Sequence, residues 1–178
     1  MPANYKLDAM FELRKYIWYK LQTEGIFDPD NYYSDNIAET LVPIVPVQQL
    51  ADMNQFLSGK THIVYDKIGV SYDTLWLICN EQILFTVYST DVSEINQIRN
   101  FMIDEFRRMD DSARDINNFA TSLFEEVGAN PDKFKFHSIY VSDMSPTEPS
   151  EELQGFYSAD IILEVQYSRS TDSSGRYL

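Results

Sequence analysis

The chain has 178 residues, enough for one domain of typical size, or one domain with an arm, and for a core burying roughly 70% of the surface exposed on unfolding. Its apolar share of 44% excludes a disordered chain, and no apolar run approaches the roughly 18–20 residues of a membrane span. A net charge of −14 and a sequence pI near 4.4 work against binding nucleic acid or anionic lipid, because phosphate contacts need Lys and Arg.

A single cysteine, Cys79, excludes an intrachain disulfide, and its place in "LWLIC" predicts a buried, inert thiol. The chain does not open on a basic stretch followed by an apolar one, so a soluble, intracellular protein without a signal peptide is expected. Aromatic residues reach 14%, a level that suits wide contact surfaces as well as a core.

In chain order, residues 5–24 predict an amphipathic helix with Leu7, Met10, Phe11, Ile17, Trp18 and Leu21 on one stripe and a stop at Gly25. Residues 1–25 thus form an N-terminal helical unit. Residues 26–60 predict an extended arm: "FDPDNYYSDN" is rich in turn formers, and "LVPIVPVQQL" sets Pro43 and Pro46 inside an apolar run. Its docking partner, the same domain or another chain, stays open. From Thr61 to Arg169 strand and helix signals alternate, and 170–178 is expected to be a mobile tail. "THIVYDKIGV" and "DTLWLICNEQILFTVYS" are strands by their β-branched and aromatic content, with "NEQ" expected as a hairpin. Asp91 and Glu94 form a capping box for a helix whose face runs through Ile95, Ile98, Met102, Phe106 and Met109. After a break at "MDD" a second helix is expected from Ser112 as cap to Gly128. "DKFKFHSIYVSD" and "FYSADIILEVQYSR" close the sheet as alternating strands. The fold class expected is α+β, a small, mainly antiparallel sheet flanked by helices, with an N-terminal helix and an extended arm.

Enzyme signatures are sparse. No glycine-rich phosphate cradle occurs, and His62 and His137 fall on separate strands without zinc spacing. The acid pairs Asp110–Asp111, Glu125–Glu126 and Glu151–Glu152 are neighbours in sequence, which does not make them converge in space. No catalytic residue, metal ligand or cofactor is therefore assigned.

The stretch "DEFRRMDDSARDIN" stands out instead. On a helix Asp104, Arg107 and Asp111 share one face, and Arg108 follows Asp104 by four residues. Exposed ion pairs contribute only about 0–1 kcal/mol each, so stability is a poor reason for so much charge. Bidentate Arg–carboxylate pairs across a contact are a better one, which makes Asp104, Arg107, Arg108, Asp110, Asp111, Arg114 and Asp115 a candidate subunit interface. A solvated helix corner with local pairs is the other reading of the same residues.

Several pieces in order carry a family resemblance: "LVPIVPVQQ", the Trp76 strand, "FTVYSTD", "FRRMDDSARDIN" and "SPTEPSEELQGFYSADIILEVQYSR", spanning residues 41–169. Together they resemble the tail terminator, or tail completion, proteins of contractile-tailed bacteriophages, in particular T4-like phages of marine cyanobacteria. The resemblance implies a tail-terminator-like domain over 61–169 and a virion protein, assembled in the host cytoplasm, without catalytic residues. It also implies a ring, hexameric in such families, on the last ring of the tail tube or sheath. Partners would be further copies of the chain, tube or sheath protein, and neck or connector proteins, with genomic DNA passing through unbound and no membrane involved. A neck or head–tail connector adaptor and an unrelated acidic interaction module are the alternatives.

Overall fold

The computed structural model describes residues 9–36, 38–72, 78–126 and 134–169. The expectations for residues 5–8, Trp76, Gly128 and the tail at 170–178 lie outside them. Helix α1 (Ala9–Thr23) follows the stripe read from its spacing: Met10, Ile17, Trp18 and Leu21 are buried. Gly25 ends it as expected. Its φ of +70° is a left-handed value that would cost a residue bearing a Cβ roughly 1–2 kcal/mol, and the Gly25 and Ile26 N–H groups close the helix on Gln22 and Leu21 carbonyls at 2.9 Å.

Residues 26–60 are not an extended arm but a series of short elements folded onto the domain. A 3-10 turn (Pro29–Tyr32) leads to strands β1 (Tyr33–Ser34) and β2 (Glu39–Thr40), strand β3 (Ile44–Pro46), a second 3-10 turn (Val47–Gln49) and helix α2 (Leu50–Leu57). Phe27, Tyr32 and Ile44 sit in the main core, so the segment docks on its own chain. The prolines act as read: β3 is a three-residue edge strand, pairing in parallel with Ile63–Tyr65 and reaching no further. Helix α2 was missed, although Leu50, Met53, Phe56 and Leu57 recur at helical spacing and pack together.

Strands β4 (His62–Tyr72) and β5 (Ile78–Ser89) pair antiparallel. The expected hairpin at Asn80–Gln82 is corrected: β5 runs straight through it. Cys79, Glu81 and Ile83 are buried while Asn80 and Gln82 are exposed, an alternation that a continuous strand satisfies and a turn does not.

Helix α3 (Val92–Phe106) starts at the expected cap. Asp91 is extended (φ −116°, ψ 114°), and its carboxylate accepts from Ser93 N at 2.8 Å. Glu94 does not complete the capping box. Ser89 Oγ accepts the Asp91 N–H at 3.0 Å instead, and Glu94 accepts from the Thr61 and Ser89 hydroxyls. Helix α4 (Asp110–Glu126) begins two residues before Ser112. Met109 turns the chain with φ +42°, and Ser112, fully buried, donates to the Glu105 carbonyl at 2.5 Å, so it closes the end of α3 rather than opening α4.

Strands β6 (Phe134–Met144), β7 (Glu148–Pro149) and β8 (Tyr157–Arg169) complete a sheet of order β3-β4-β5-β8-β6, with β7 added beside β8. All its pairings except β3–β4 are antiparallel, which makes the fold α+β with a mixed sheet. Ile161, Leu163, Val165 and Tyr167 alternate inward along β8 as expected. They share one core with α1, α3 and α4 on a single face of the sheet. Among the described residues the opposite face is covered at one end, where α2 and the 150–156 loop close over Val45, Val64 and Tyr88. Among the described residues no helix is long and apolar enough to cross a membrane.

Candidate functional site

His62 and His137 lie at opposite ends of the sheet. His62 pairs opposite Tyr88, and His137 Nε2 is 3.0 Å from Ser168 Oγ, about ten strand positions or roughly 30 Å away. His62 is a core residue. Its ring stacks on Tyr88 at 5.3 Å, its Nδ1 lies 2.8 Å from the Lys60 carbonyl, and burial holds it below the usual histidine range, opposed by that backbone bond. Cys79 is buried as expected, with Sγ 3.8 Å from Glu81 Oε1. Among the described residues no group of three or more His, Cys, Asp or Glu is placed to hold a metal ion.

The open sheet face holds a trough of about 510 Å³. There Gln82 and Tyr140 donate to Glu164, and Gln166 donates to Asn80 at 2.9 Å. The bond to Glu164 keeps the Tyr140 phenol above its usual range, the reverse of what a nucleophilic phenolate needs.

The charged stretch forms the exposed corner between α3 and α4, and its charges pair within the chain. Arg107 lies 3.7 Å from Asp104, Arg108 3.6 Å from Asp115, and Arg114 2.8 Å from Asp111. The left-handed Met109 takes Asp111 off the α3 face on which helical spacing had set it, so Arg108 reaches Asp115 and not Asp104. Asp110 opens α4, where its charge suits the positive end of the helix dipole. All seven candidate residues thus gather on one corner.

A second surface escaped the sequence reading. Strand β3 covers β4 only over Ile63–Tyr65, so among the described residues 66–72 pair on one side alone. This stretch carries Ile68 and Val70, 49% and 48% exposed, with Tyr72 and Ile78 also exposed at its end. A β-bulge between Lys67 and Gly69 adds a residue to β4 there. Lys67 would be the usual charged guard of such an edge, but its ammonium turns back to buried Glu81 at 3.3 Å. The apolar alternation "IGVSY" was the available signal.

Glu12 is the most exceptional buried group. It is 0% exposed on the apolar stripe of α1, and neither carboxylate oxygen has a hydrogen-bond partner. Desolvation raises its pKa above 4.5, with Lys15 opposing. A raised folded-state value means that the group's contribution is intact below pH 4.5 and is lost as pH rises through the folded-state pKa. Glu12→Gln should therefore stabilise the protein by about 1 kcal/mol at neutral pH and by much less in acid. Parallel urea titrations of parent and variant across pH check this; a pH-independent difference would refute it.

No protein-family model matches the chain, and no curated protein matches it.

Proposed function

We propose that the chain is a structural virion protein that assembles into a ring, hexameric on its resemblance, at the head-proximal end of a contractile phage tail. There it would end polymerisation of tube or sheath and join the tail to the neck, with a tail-terminator-like fold as its framework. The observation that carries the reading is a set of exposed apolar residues on the paired strands β4 and β5. A chain with net charge −14 leaves Ile68, Val70, Tyr72 and Ile78 exposed together, and patches of this kind mark protein contacts. Among the described residues, the pieces that carry the resemblance fall on β3, the junction of β5 and α3, the α3–α4 corner, and β7 with β8. An acidic ring would also let DNA pass without adhesion.

A ring closes by heterologous contacts, so each copy needs two unlike faces. The corner of Asp104, Arg107, Arg108, Asp110, Asp111, Arg114 and Asp115 is proposed to contribute to one of them. Mass measurement in solution, with and without phage tail tubes, tests the assembly. Arg107→Ala with Arg114→Ala should weaken it at least tenfold while leaving the fold within about 1 kcal/mol, because both ion pairs are solvent-exposed. Unchanged sedimentation would remove the corner from the contact.

A further inference from the structure

We propose that the loop of residues 150–156 is an acid-released lid, which closes over the neutral imidazole of His62 and opens when that imidazole takes up a proton. The device is independent of the assembly proposed above.

The lid covers a small apolar cluster set apart from the main core. Val45, Leu57, Val64 and Tyr88 are buried there, packed against Leu50, Met53 and Phe56 of α2 and Leu153 and Phe156 of the loop. Such a satellite opens at lower cost than a main core, because less apolar area meets water. The loop is bonded to itself and can move as one piece. Ser150 N–H donates to the Phe156 carbonyl at 2.8 Å, Phe156 N–H to the Leu153 carbonyl at 3.1 Å, and Leu153 N–H to the Ser150 hydroxyl at 3.0 Å. Its base is pinned where Pro149 pairs opposite Tyr157. Among the described residues one hydrogen bond ties it to the rest of the chain, from the Tyr88 phenol to Glu152 at 2.6 Å.

His62 sits beneath this lid. It is 2% exposed; its ring stacks on Tyr88 at 5.3 Å and meets the Phe156 ring edge-on at 6.0 Å. Nδ1 lies 2.8 Å from the Lys60 carbonyl, which suits a neutral imidazole protonated there. Among the described residues the charges around it are engaged elsewhere. Lys60, two residues before it, sets its ammonium 4.1 Å from the Phe56 ring. Helix α2 turns Leu50, Met53, Phe56 and Leu57 toward the cluster and leaves Asp52 exposed. Glu152 of the lid holds the Tyr88 phenol, Asp160 of β8 the Thr86 hydroxyl, and Glu94 of α3 those of Thr61 and Ser89. Burial therefore holds the imidazole below 6.5, with the Lys60 carbonyl opposing. A lowered value in the closed state means that closure is at full strength above pH 6.5 and weakens as the pH falls below it, since only the open lid lets the ring charge freely. Opening bares Val45, Val64 and Tyr88 and leaves the main core shut.

Hydrogen exchange on the full chain tests this between about pH 7.5 and about pH 5.5, above the range in which ordinary carboxylates titrate. After correction for intrinsic rates, the amides of 150–156 should open about threefold to tenfold more often at the lower pH, while Phe85 and Val87 in the main core keep their protection. A smaller rise in the loop, or an equal rise at Phe85 and Val87, overturns the lid. His62→Gln should abolish the pH dependence; a rise that survives it belongs to another group and overturns the lid as well. Should that variant fail to fold, His137→Gln leaves a single imidazole in the chain. Its titration by NMR should have a midpoint below 6.5 and be accompanied by shifts at Leu153 and Phe156. A midpoint at or above 6.5, or a titration that the loop does not follow, decides against it.

Discussion

Replacing Phe85 by Ala should lower the unfolding free energy by about 3–5 kcal/mol, the range for a large buried ring truncated in a core that cannot collapse around it. Phe85 is fully buried on β5, the strand held between β4 and β8. Its ring lies 6.1 Å from that of Tyr65, and its backbone pairs opposite Ile161, so strands on both sides prevent the sheet from closing the gap. Against a typical total of about 5–15 kcal/mol, the loss is roughly a fifth or more of the stability. Urea unfolding should show a lower midpoint with an unchanged slope. A loss under about 1 kcal/mol would mean that the sheet does not bury this face as described.

The parts of the fold that were legible are those in which one element reports one face. Strand β8 alternates Ile161, Leu163, Val165 and Tyr167 inward, and α3 repeats Ile95, Ile98, Met102 and Phe106 at helical spacing; neither pattern depends on a distant partner. The "NEQ" triplet misled because its polar composition outweighed its alternation. Glu81 points inward, and a carboxylate at a core position reads as a turn until its partner Tyr167, 86 residues away, is known. Residues 26–60 were opaque for a related reason. Their prolines describe the local chain correctly, but docking depends on Trp18, whose ring lies 5.5 Å from Phe27 and 5.6 Å from Tyr32. In the charged corner Arg107 meets Asp104 at the expected spacing, whereas Arg108 and Asp111 take partners from α4, since one positive φ at Met109 resets the helical phase. The apolar edge of β4 was invisible as an edge, because "IGVSY" reads the same whether a strand is flanked or free.

A recurrent device links these misreadings to the composition. The chain holds 28 acidic and 14 basic residues, too few cations to satisfy every carboxylate that packing draws inward. Tyrosine hydroxyls add to the lysines: Tyr167 donates to buried Glu81 and Tyr16 to Glu105, beside Lys67 and Lys20, while Tyr88 donates to exposed Glu152 and Tyr140 to half-buried Glu164. Phenols satisfy an acceptor without adding charge, so these carboxylates are bonded while the chain stays acidic. The aromatic content, read from sequence as suiting a core as well as contact surfaces, thus includes tyrosines that act as hydrogen-bond donors.

Tyr167→Phe tests that device where it matters most, and should cost about 1.5–3 kcal/mol, the range for a hydrogen bond to a charged group. Tyr167 is fully buried and Glu81 is 3% exposed, with 2.8 Å between phenol and carboxylate. The substitution keeps the ring and its packing 6.1 Å from Phe136, so little volume is lost and the change reports the bond. Glu81 would retain Lys67 at 3.3 Å, but its Oε2 already lacks a partner and water cannot reach it to replace the phenol. Adding Glu81→Leu makes the decisive comparison. If the phenol and the carboxylate act as a unit, the double variant should lose less than the sum of the single losses, by about 1 kcal/mol or more. Strict additivity in urea unfolding would show that the two groups stabilise the sheet independently, and the carboxylate would then be held by Lys67 and Cys79 without the phenol.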